Sequence, residues 1–121
     1  MKPTRFLWLP VIAYMAAIFI ASSLSDPPVP QEVPDVDLHA TAYFGLMLLV
    51  ARAVSGAAWA RVTIRALAIA WCITVAYGAT DEWHQMYVPN RHAEFRDLEA
   101  DAIGALVAGV TLKAWVIIKR L

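Results

Sequence analysis

A chain of 121 residues is long enough for one domain, but 60% hydrophobic residues, 17% charged residues and a mean hydropathy of +0.57 exclude an ordinary soluble globule. The formal net charge is zero, which by itself identifies no partner; what matters is where each sign sits. Cys72 is the single cysteine, so an intramolecular disulfide and a thiolate cluster are excluded, and within its apolar run it is expected to be a small buried hydrophobe.

In chain order, apolar runs cover residues 6–22, 38–54, 62–80 and 102–118. Each approaches the roughly 20 residues that a helix needs to cross a bilayer core. The first follows Lys2 and Arg5 and contains Pro10. Its basic start, apolar core and Ala21-Ser22-Ser23 also fit a secretory signal peptide, but its length and Pro10 favour a retained helix. Pro27, Pro28, Pro30 and Pro34 then mark a loop that cannot continue a helix. Ser55-Gly56 breaks the chain before the third run, and Val88-Pro89-Asn90 ends it. Good helix formers flank the later runs, so helices are expected over 6–22, 38–54, 62–86 and 95–119. The reading is a single all-α domain, 1–121, built as a four-transmembrane-helix bundle.

Short cytoplasmic loops retain Lys and Arg, and this orients the bundle. With the N-terminus inside, Lys2, Arg5, Arg52, Arg61, Arg65, Lys113, Lys119 and Arg120 lie at the inner end, leaving Arg91 and Arg96 outside. Both termini are then cytoplasmic. Every acid, from Asp26, Glu32, Asp35 and Asp37 through Asp81, Glu82, Glu94, Asp97, Glu99 and Asp101, falls at the outer end together with His39, His84 and His92. At 1.5 Å rise per residue, Asp81 stands about 24 Å from Arg65, His39 about 20 Å from Arg52 and Asp101 about 27 Å from Lys119. In a hydrocarbon core roughly 30 Å thick, these side chains reach the outer interface or slightly below it.

Helical spacing assigns faces. Asp97, Asp101, Gly104 and Ala108 form one stripe on the fourth helix, whose small residues admit a close neighbour, with Ala105 on another face. Thr74, Tyr77, Asp81 and either His84 or Gln85 form a second stripe, and His39 with Tyr43 a third. The three are expected to converge in an outer-leaflet polar pocket, with Asp81 and Asp97 holding His84, His39 and Arg91. The bland alternative is that these groups merely satisfy one another and the helix ends, as polar residues in membrane bundles often do. His39, Asp81, His84 and Asp101 carry suitable atoms for a metal, but there is no HExxH and no Cys or His pair at ligand spacing, so neither a metal nor a cofactor is expected. No glycine-rich phosphate loop, nucleophile elbow or basic aromatic patch is present, which argues against nucleic acid as a partner. Trp8, Trp59, Trp83 and Tyr87 read as interfacial anchors.

Ser22-Ser23-Leu24-Ser25-Asp26, Asp35 with His39 and Tyr43, the run TDEWHQMYVPNR at 80–91, and Asp97 with Asp101 and Gly104 together resemble the VanZ-like family of small membrane proteins. The resemblance covers nearly the whole chain. Two positions depart from it: Val36 stands where the family often has lysine, and Asp101 where it often has asparagine, which adds a carboxylate to the shared site. The resemblance implies an integral membrane protein of the bacterial envelope. It also implies an association with resistance to glycopeptide antibiotics, teicoplanin above all, without an assigned catalytic mechanism. Carried over, Asp35, His39, Asp81, Glu82, His84, Gln85, Arg91 and Asp97 are the family-like polar positions; Tyr43 and Asp101 join them as binding candidates. The preferred expectation is a binding role toward membrane lipid, a lipoglycopeptide or a lipid-linked cell-wall precursor. The alternative is a small intramembrane enzyme in which His39 or His84 acts as general base, oriented by Asp81 or Asp97, although Ser22 and Ser23 offer no convincing nucleophile.

Overall fold

The computed structural model describes residues 3–25 and 32–120. Lys2, Asp26, Pro27, Pro28 and Pro30, used above for orientation and for the first loop, lie outside the described residues. The fold is all-helical, with α1 at Thr4–Ser23, α2 at Asp35–Val54, α3 at Ile64–Gln85 and α4 at Phe95–Lys119, and one 3-10 turn at Trp59–Arg61. Helices α1, α2 and α4 are long and apolar enough to cross a membrane. The polar last turns of α3, with Asp81, Glu82, His84 and Gln85, keep it from matching them.

Local chemistry sets the helix ends. Helix α2 begins at Asp35, ahead of its apolar run, because Pro34 leads in with extended backbone and Asp35 and Asp37 in the first turn favour the positive end of the helix dipole. It ends in a Schellman motif: the Ala57 N–H reaches Arg52 O at 2.9 Å and the Gly56 N–H reaches Ala53 O at 3.2 Å. Gly56 takes the required left-handed conformation (φ 64°) freely, whereas Ala57 (φ 60°) holds it at a cost of about 1–2 kcal/mol. Thr63 caps α3 by accepting the Ala66 N–H at 3.1 Å. Between α3 and α4, the Arg91 N–H bonds Val88 O at 3.2 Å, with Pro89 and Asn90 (φ 64°) at the turn positions where proline and a left-handed asparagine are favoured.

Pro10 sits inside α1 and lacks the N–H that would bond Phe6 O. The Arg52 guanidinium on α2 takes that carbonyl instead, at 3.3 Å. The proline thus becomes a docking point between two helices.

Helix α2 is the hub: it touches α1, α3 and α4, and its contact with α4 is the most extensive. Tyr43, Leu46, Met47, Val50 and Ala51 line its inner face, against Leu7 and Val11 of α1, Leu67 and Ala70 of α3, and Ala105, Ala108 and Val116 of α4. Outward faces remain apolar, with Ile12, Ile20, Ile64, Val110 and Ile118 59–68% exposed. Apolar surface on both the inner and outer faces suits a lipid environment, where close van der Waals packing and interhelical hydrogen bonds hold the bundle. Gly104 allows the closest approach, since a Cβ there would fall onto the Ala40 backbone of α2. Aromatic side chains stitch the helices together: Tyr14 Oη donates to Ala42 O at 2.7 Å, Tyr77 Oη to Met15 O at 2.6 Å and Trp71 Nε1 to Ala102 O at 3.0 Å.

Two expectations are corrected here. Cys72 is exposed, because an apolar run in a helix of this kind has a lipid-facing side as well as a packed one. Ala105 is fully buried, as Gly104 is, because α4 contacts both α2 and α3 and so buries a face wider than one stripe.

Candidate functional site

Helices α2 and α4 start, and α3 ends, at the same end of the bundle, and there their polar stripes meet. His39 is the centre. Its Nδ1 shares a hydrogen bond with Asp101 Oδ1 at 2.7 Å and lies 3.7 Å from Glu82 Oε1, while its Nε2 faces Asp97 Oδ2 at 3.8 Å. When that carboxylate is ionised it can only accept, and the ring proton is then on Nδ1. One turn on, Tyr43 Oη donates to Asp81 Oδ2 at 3.0 Å, and its ring runs nearly parallel to that of His39 (centroids 6.3 Å apart, 7° between planes). Glu82 reaches the next helix, accepting the Glu94 N–H at 3.2 Å where α4 begins.

These groups are buried. Asp101 is 0% exposed, Asp81 and Asp97 4% and Glu82 8%. Asp81 Oδ1, Glu82 Oε1 and Asp101 Oδ2 have no hydrogen-bond partner among the described residues. The base paired with this group of carboxylates, among the described residues, is His39. Buried carboxylates without matching donors are costly, and native proteins keep few of them.

The tertiary structure rearranges the expected pairings. Asp101, rather than Asp81 or Asp97, is the close partner of His39. His84 is turned to α1, where its ring stacks on Phe19 (centroids 4.2 Å apart) and its Nε2 lies 3.3 Å from Ser23 Oγ. Gln85 is the buried member of that pair of candidates, donating to Ser22 Oγ at 3.4 Å. Arg91 donates to Leu24 O at 3.1 Å, closing the α1 end against the turn after α3. Asp35 stays exposed in the first turn of α2. The reason is shared: residues 100° apart on one helix face different neighbours, and spacing does not say which neighbour is where.

Gly78 was missed. A Cβ there would stand 2.8 Å from Asp101 Oδ2 and 3.3 Å from the Tyr43 ring, so its hydrogen is what lets the Asp101 carboxylate lie against α3. The signal was present as a small residue one turn before Glu82 and one after Thr74. Two cavities lie away from this cluster: one of about 360 Å³ beside Arg52, Ser55 and Trp59, and an open apolar groove of about 850 Å³ along Leu67, Trp71, Leu106 and Lys113.

The family described as VanZ/LLP1 matches residues 33–117, which take in α2, α3, all but the last two residues of α4 and every residue of the cluster. Neither a curated protein nor a solved structure matches the chain.

Proposed function

The chain belongs to the VanZ/LLP1 family, and from that premise we propose a multi-pass protein of the bacterial cytoplasmic membrane that modulates the cell envelope. In this reading α3 spans with the other three helices, both termini are inside, and the His39 end faces out. There the cluster forms the floor of a site for the head group of a lipid, a lipoglycopeptide or a lipid-linked cell-wall precursor. Arg91 and Arg96 would meet anionic groups and the carboxylates would meet hydroxyls or amines.

The observation that carries this reading is the convergence of His39, Glu82, Asp97 and Asp101 from three helices, at the end opposite most of the basic residues. Inside the bilayer, ionisable groups are expensive and are retained for a task. The test is susceptibility to teicoplanin in cells expressing the chain. Asp97→Asn is expected to restore susceptibility while the protein accumulates to wild-type levels; full protection by that variant would overturn the reading. Orientation is tested separately, with Cys72 replaced. A cysteine at His92 should label from outside intact cells and one at Gly56 should not.

The enzymatic alternative gains one observation, the 3.3 Å approach of Ser23 Oγ to His84 Nε2. It also loses one, because His84 Nδ1 is buried without a hydrogen-bond partner among the described residues, and the Ser23 hydroxyl already donates to Phe19 O at 2.7 Å. A serine-directed phosphonate probe that labels the wild type and spares Ser23→Ala would establish it.

A further inference from the structure

We propose that His39, Glu82 and Asp101 form a binding site for a divalent first-row transition-metal ion, of the class of Mn2+ or Zn2+. A nitrogen and two carboxylate oxygens from three different helices lie within 4.8 Å of one another. Donors held 2.0–2.2 Å from one ion stand roughly 2.8–3.6 Å apart in tetrahedral or octahedral arrangements. The separations here, 2.7 Å from His39 Nδ1 to Asp101 Oδ1 and 3.7 Å to Glu82 Oε1, bracket that range.

The second support is an unpaired oxygen. Glu82 Oε1 is buried without a hydrogen bond among the described residues, on a residue 8% exposed, and is turned toward the imidazole. Glu82 is divided by function: Oε2 accepts the Glu94 N–H, while Oε1 has no hydrogen bond to accept from the described residues. A cation between the three side chains gives Oε1 a partner and offsets carboxylate charge that faces a single imidazole within 4 Å.

The surroundings fit a bound ion. When the ion takes the Nδ1 lone pair, the ring proton resides on Nε2, which faces Asp97 Oδ2 at 3.8 Å. Asp97 then becomes the carboxylate that orients a metal-bound histidine. Tyr43 holds Asp81 aside through its hydroxyl. The imidazole donor favours a transition metal over Mg2+ or Ca2+, which prefer all-oxygen sets.

This inference does not depend on the head-group reading, and its test uses the ion alone. The full-length protein in detergent, stripped with a chelator, is titrated with MnCl2 and with ZnCl2 by calorimetry, with stoichiometry read by elemental analysis. One of the two ions is expected to bind at one per chain and to raise the melting temperature, reversed by chelator. Glu82→Gln keeps an oxygen to accept the Glu94 N–H but is a poor ligand, so it should fold and bind at least tenfold more weakly. Asp97→Asn should lose about tenfold, as expected for an orienting carboxylate. Glu99→Gln, at an exposed acid, should bind as the wild type does. Neither ion saturating the wild type, or equal affinity in folded Glu82→Gln and His39→Gln, would overturn the site.

Discussion

The two ends of this bundle handle charge differently. At the end where α4 finishes, cations meet backbone carbonyls and aromatic rings: Arg52 bonds Phe6 O, Lys113 bonds Val62 O at 3.2 Å, Arg120 bonds Trp59 O at 3.4 Å and Lys119 lies over the Trp115 ring. Those bonds satisfy helix ends and loops, and nothing beyond structure is needed to explain them. At the other end Glu82, Asp97 and Asp101 gather around one histidine with Asp81 beside them on Tyr43, and three of their buried oxygens have no hydrogen-bond partner among the described residues. Carboxylates at this end exceed the hydrogen-bond donors that the described residues bring to them.

Three substitutions test that contrast, in falling order of effect. Gly104→Leu is expected to cost more than about 3 kcal/mol, because the new side chain meets the Ala40 backbone and neither helix can yield. Lost accumulation, or a collapsed melting transition in detergent, is the readout. Val107→Leu, on an exposed position three residues along α4, should melt as the wild type does; parity between the two would show that the α2–α4 seam does not build the polar end.

Tyr43→Phe comes next. It removes the hydroxyl that satisfies Asp81 Oδ2 and leaves that buried carboxylate with two unpaired oxygens, for a loss of about 1–3 kcal/mol. Thermal melts in detergent, compared with the Tyr43→Phe/Asp81→Asn double variant, measure the coupling. If the double variant loses the sum of the two single effects, the hydroxyl and the carboxylate do not interact and the cluster is looser than described.

Smallest of all should be Arg52→Met at the opposite end. The lost bond is long and serves a carbonyl near the bundle end, so the expected cost is about 1 kcal/mol or less, with teicoplanin tolerance unchanged. A large loss of tolerance without a change in melting would place function at the basic end instead.

Much of this was legible in the residues because it depends on single helices. Hydropathy and proline placement mark the helices, Gly56 marks the end of α2, and the separation of acids from most bases along the chain is visible without coordinates. Part of the cluster's membership was legible too: Asp97 and Asp101 recur at helical spacing, as do His39 and Tyr43, so each pair had to share a face. What spacing cannot supply is the neighbour. Only the packing decided that His39 meets Asp101 and Glu82, that His84 turns to Phe19, that Gly78 makes room for the Asp101 carboxylate, and that Arg91 closes on Leu24. Cys72 and Ala105 were misread for the same physical reason. In a bundle apolar on its outer as well as its inner faces, hydrophobicity no longer reports which side is buried, and helix-to-helix contact alone settles it.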